Sequence, residues 1–212
     1  MKLMKIVGLL IALAVLQGCA FTKATLDVRP TPDTRIAGPL GDVKILQFQS
    51  PQLEDTRPDK ARIGWKKNGF GQNTADVTTK EPVDNIIEKT VAKALTDAHH
   101  TVNGTGPIQI IGTVDRFWFD LDVNFWTVKF IGDVQCTLDF VNTQTKQSIY
   151  KSKYAGSHSE EKAGGLEKTW TAVMNKALDK LIENIVLDEE LANALKAASA
   201  DPNLAASLQA PE

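Results

Sequence analysis

Residues 125–141 alternate strictly. Trp126, Val128, Phe130, Gly132, Val134, Cys136, Leu138 and Phe140 share one parity; Thr127, Lys129, Ile131, Asp133, Gln135, Thr137 and Asp139 share the other. A period-two run of this length is a strand with one buried and one wet face. The polar stretch 142–147 then reads as a hairpin loop, and 148–157 returns as the next strand. Upstream, Pro107 to Phe119 supplies the preceding strand, with Ile108, Ile110, Val114 and Trp118 on its inward face. The chain is thereby committed to an antiparallel meander whose apolar face needs a cover.

Two helices can supply it. Pro82 suits a first helical turn, where its missing N–H has no acceptor. Behind it Val83, Ile86, Ile87, Thr90, Val91, Ala94, Leu95 and Ala98 recur at three- and four-residue spacing. Beginning near Gly165, Leu166, Trp170, Val173, Ala177, Leu178, Leu181 and Ile185 form a second stripe. A short further helix is expected within 187–198. Before the first helix, Asp42 to Gln49 reads as a strand closed by Pro51, which lacks a ladder donor. Residues 51–80 read as a long polar excursion holding one short strand near Ile63–Lys66. The expected fold is α+β: a two-layer sandwich of an antiparallel meander sheet with two long helices on one face.

The N-terminus carries a different kind of information. Lys2 and Lys5 precede the uncharged run Ile6 to Leu16. That run is too short for a bilayer-spanning helix but has the length of a signal-peptide core. It ends in Leu16-Gln17-Gly18-Cys19-Ala20, which resembles the lipobox of bacterial lipoproteins. The resemblance implies cleavage between Gly18 and Cys19 and acylation of Cys19; two or three acyl chains hold a protein firmly to a bilayer where one holds it marginally. Ala20 is not the aspartate that marks inner-membrane retention, so the resemblance points to the outer membrane, facing the periplasm. The expected organisation is a signal peptide at 1–18, a lipidated N-terminus and tether at 19–42, an α+β periplasmic domain at 43–187, and a short helix with a flexible tail at 188–212.

With Cys19 acylated, Cys136 has no partner in the chain, and an oxidising envelope favours burying it. The net charge of −2 argues against nucleic acid. Asp120, Asp122 and Asn124 imitate the start of an EF-hand loop, but Phe125 and Ile131 stand where its glycine and bidentate glutamate belong. His99 and His100 diverge by about 100° on a helix and do not converge on a metal. No metal or cofactor is expected, nor a catalytic residue. An enzyme would need a cleft gathering Asp55, Arg57, His158 and Glu160.

The aromatics are the remaining signal. Trp118 and Trp126 read as core, leaving Phe117 and Phe119 toward the wet side, where they either form a contact surface, joined by Trp65 and Phe70 of the 51–80 segment, or are covered by that segment or by the N-terminal arm.

The lipobox, the strand, Asp55-Thr56-Arg57 with Ile63-Gly64, the amphipathic helix, the meander and the closing helix together resemble the YajG-type lipoproteins over residues 19–190. The resemblance implies a small envelope α/β module and brings no catalytic residues. The expected function is therefore non-enzymatic: an outer-membrane-anchored module that binds an envelope protein partner. The alternative is an accessory subunit of lipid or glycolipid transport, which would need an acyl-sized groove between sheet and helices.

Overall fold

The computed structural model describes residues 22–31 and 36–200. Gly18 and Cys19, with the signal peptide and the end of the tail, lie outside the described residues. The body is mixed α+β: a nine-stranded open sheet with three α-helices. The strands are β1 (Ala24–Leu26), β2 (Gln47–Phe48), β3 (Gln52–Asp55), β4 (Gly64–Lys67), β5 (Asn73–Thr79), β6 (Thr101–Val102), β7 (Ile108–Val123), β8 (Val128–Asn142) and β9 (Ser148–Lys162). The helices are α1 (Val83–Asp97), α2 (Glu167–Val186) and α3 (Glu189–Ser199), with a 3-10 turn at Pro39–Asp42.

Strands β7, β8 and β9 form the antiparallel meander that the alternation predicts, with Cys136 fully buried between Val114 and Tyr154. The sheet then continues beyond an antiparallel meander. The free edge of β7 takes three short parallel strands in succession: β2 at Ile108, β3 from Ile111 to Val114, and β4 at Phe119. β5 pairs antiparallel with β4, and β1 runs parallel to β5.

Much of the 51–80 excursion is therefore strand, and the expected 42–49 strand shrinks to β2 because residues 39–42 wind into the 3-10 turn. Nor does Pro51 stop pairing, since β3 resumes at Gln52 on the same edge. In the segment expected to act as a tether, Ala24, Leu26 and Val28 are buried. Beyond them the Thr31 N–H donates to Asp179 at 2.7 Å. Once apolar residues at period two meet a free edge, pairing satisfies their backbone groups better than loose chain would.

Both long helices bury the predicted stripes, except Leu166, which precedes α2 and is exposed. α2 crosses β8 and β9 where both present glycine. A Cβ on Gly132 would meet the Val173 carbonyl at 3.1 Å, and one on Gly156 the Leu181 nitrogen at 2.5 Å. α1 packs against α2 and against β3, β6 and β7. α1 ends in a Schellman turn: the His99 N–H donates to Thr96 O and the His100 N–H to Leu95 O, with His99 left-handed at φ 69°.

Candidate functional site

The phase of β7 decides where its aromatics go. Ile108, Ile110 and Val114 face the core, but the register shifts between Val114 and Arg116. This β-bulge leaves Asp115 unopposed and flips the parity beyond it. Phe117, Phe119 and Leu121 consequently point inward, Phe117 and Phe119 being fully buried. The expectation that these two phenylalanines form a contact surface is overturned. Phe119 stacks on Trp170 at 5.3 Å instead. Asp115 holds the bulge from the outer face, accepting the Thr113 and Thr137 hydroxyls at 2.7 Å each.

Trp126 is corrected in the opposite sense. β8 begins at Val128, so Phe125 and Trp126 occupy the turn before it and are 89% and 81% exposed. Phe70, in the β4–β5 turn, is 93% exposed, as expected of a surface residue. Trp65 is only partly exposed, with the Arg62 guanidinium 3.9 Å from its ring centroid. Sequence reasoning missed Phe125, Trp126 and Leu166 as exposed apolar groups. Gly164-Gly165 ahead of Leu166 and Asn124 ahead of Phe125 were the available signals, both being turn formers.

The titratable residues singled out from the sequence are tied into the scaffold. Arg57, 6% exposed, donates to both Asp55 carboxylate oxygens at 3.0 and 2.8 Å and to the carbonyls of Arg62 and Phe117. Burial pushes the Asp55 carboxyl up, but the Arg57 hydrogen bonds and charge outweigh it and hold it below the ordinary value. His100 Nδ1 accepts the Leu46 N–H at 3.3 Å, and its Nε2 lies 3.1 Å from the Leu40 carbonyl. Burial, against the Leu40 bond, lowers its pKa. The thiol of Cys136 is pushed up to about 12, chiefly by burial and further by the Asp115 charge. Tyr154 donates to Asp188 at 2.7 Å, which also N-caps α3.

His158 and Glu160 sit on β9, two strands from β7, whereas Asp55 belongs to β3 on the far side of β7. The four residues an enzyme would need are thus not gathered. Glu160 is engaged by Lys162, Lys176 and His158, whose hydrogen bonds pull its pKa down to about 2. Among the described residues no group of three or more His, Cys, Asp or Glu could hold a metal ion. No described helix is long and apolar enough to cross a membrane.

What remains open is a groove of about 980 Å³. It lies between β1, β3, the residues leading into β4, the end of β5 and the start of α1. Lys23, Lys60, Arg62 and Lys80 face Glu54, Asp55, Glu81 and Asp84 around it. The β3 edge beside it is blunted against strand addition: Glu88 accepts the Leu53 N–H at 2.8 Å, and Asp55 the Arg57 N–H at 3.1 Å.

Comparison with known proteins follows this geometry. The chain has no match among curated proteins. Among solved structures it is similar to a protein from Xanthomonas campestris, at 11% identity and a TM-score of 0.50 over 83% of this chain and 98% of that one. It is also similar to a minor lipoprotein from Acinetobacter baumannii (9%, TM-score 0.36, 73% and 93% covered). A PelC dodecamer from Paraburkholderia phytofirmans gives 9%, 0.35, 74% and 96%. At these identities the first shows a shared fold and the other two carry no argument. The profile of a family described as uncharacterised lipoproteins matches residues 50–196, most of the chain and all of the meander, and the chain belongs to that lipoprotein family.

Proposed function

We propose that the protein is an outer-membrane-anchored periplasmic lipoprotein, held by acylated Cys19, whose body is a non-enzymatic module binding an envelope partner in the groove beside Arg57. Membership of a lipoprotein family supports the anchor, and the order of elements supports the YajG type within it. The engagement of Asp55, His100, Glu160 and Asp188 in scaffold bonds, and the burial of Cys136, support a binding role over catalysis. The close approach of α2 to β8 and β9 supports a two-layer body with both long helices on the Cys136 face. The backbone contacts at Gly132 and Gly156 close the space between helix and sheet at those two points, which weighs against amphiphile transport.

The observation that carries the reading is the groove itself: open, and lined by side chains of both charges. The partner it fits is polar and carries both charges, as an extended peptide segment does. A photo-crosslinking amino acid at Lys60, in cells, tests this against the same probe at Lys151 on β9. The expected result is one envelope component captured from position 60 and lost in an Arg62→Glu/Lys80→Glu chain. Equal capture from both positions, or turnover of a substrate by the purified protein, overturns it.

A further inference from the structure

The strand directions bring three loops to one end of the sheet. β7 runs toward it and β8 starts there, so the Phe125-Trp126 turn lies there. β9 ends there, with Lys162 opposite Val128, and Leu166 follows four residues on. β4 runs parallel to β7, so its turn into β5, which carries Phe70, lies there too. Phe70, Phe125, Trp126 and Leu166 are each more than four-fifths exposed, and no other large apolar side chain among the described residues is.

Phe125 and Trp126 occupy the turn that joins β7 to β8, where the Asn124 N–H donates to the Thr127 carbonyl at 2.9 Å. The two rings meet edge to face at 4.7 Å yet remain exposed. Large apolar side chains grouped on an exposed surface mark an interaction site.

The chain leads to the same end. β1 runs parallel to β5, so residues before Ala24 head toward the start of β5. Thr22 lines a hollow there with Lys66, Lys67, Leu166 and Trp170. Only Ala20 and Phe21 separate Thr22 from Cys19, a reach of about 10 Å at full extension. If Cys19 is acylated, as the proposed function holds, this end lies close to the bilayer rather than standing off on a long tether.

We propose that this end docks into the membrane: Phe70, Phe125, Trp126 and Leu166 insert into the headgroup–acyl boundary of the leaflet that holds the Cys19 lipid. Tryptophan is enriched at that boundary, where an apolar ring with one polar N–H fits both sides. The charges nearby are balanced: Lys66 pairs with Glu167, Lys67 with Asp120, and Lys129 stands opposite Asp122. Insertion therefore runs on apolar area, and zwitterionic lipid suffices. The charged groove lies further along β5, from the level of Lys23 to Thr79.

The test uses the mature full-length chain in phosphatidylcholine vesicles, with and without bromine on the acyl chains, alongside a mass measurement of its N-terminus. Brominated lipid is expected to quench tryptophan emission, and Trp126→Phe, which keeps the apolar bulk, to remove the quenched component. A Phe70→Ser/Phe125→Ser/Leu166→Ser chain, altered only at exposed sites, is expected to lose most of the quenching of Trp126. An unacylated Cys19 overturns the anchor reading. Unquenched Trp126 on an acylated chain overturns docking and leaves the anchor standing, as does a Trp126 protected only by self-association or by a protein partner.

Discussion

A Cβ placed on Gly156 would stand 2.1 Å from the carbonyl oxygen of Ala177, so β9 and α2 touch backbone to backbone. The contact involves two rigid elements, and neither has a flexible side chain to withdraw. Gly156→Ala is expected to destabilise the fold by about 3 kcal/mol, at the upper end for overpacking. Denaturant midpoints of the two chains check it; an unchanged midpoint would mean the helix rides higher on the sheet.

The bulge at Asp115 assigns opposite fates to neighbouring aromatics. Phe117→Ala empties a fully buried site and is expected to cost about 4 kcal/mol. Phe125→Ala removes a ring that is 89% exposed and is expected to stay within about 0.5 kcal/mol of the parent. Thermal unfolding of both variants distinguishes this from unbroken alternation along β7, which would leave Phe117 on the wet face and as cheap to lose as Phe125.

Arg57 ties the end of β3 to the Phe117 carbonyl, and Asp55 is its carboxylate partner among the described residues. Arg57→Ala strands a largely buried carboxylate and is expected to cost about 3 kcal/mol. The pH dependence follows from the lowered Asp55 pKa. As pH falls the unfolded chain takes up that proton first, so the stabilisation is full above pH about 4 and is lost below it as the folded carboxyl protonates. The stability difference between the parent and Asp55→Asn is accordingly expected to shrink between pH about 5 and 2, measured by urea unfolding.

Cys136, with its thiol at about 12 and its side chain sealed between Val114 and Tyr154, is expected to resist alkylation in the native protein at pH 8. Iodoacetamide labelling followed by mass spectrometry should find it unmodified until denaturant is added. Rapid native labelling would place the thiol at the surface.

The sequence alone determined the meander through β8, both long helices, the burial of Cys136 and the residue that an anchor would use. These rest on local periodicity, and the period of a buried face is written in consecutive residues. The tertiary structure decided the rest. A single unopposed residue at Asp115 reverses the facing of the rest of β7; Phe117, Phe119, Leu121 and Val123 carry the new parity in the sequence, but only the pairing with β8 shows where the shift falls. The short strands β2, β3 and β4 exist because β7 offers an edge to pair with, and β5 and β1 add to β4 in turn; these are long-range partners invisible to a local pattern. The grouping of Phe70, Phe125, Trp126 and Leu166 at one end of the sheet follows from strand direction, which only pairing between distant segments fixes.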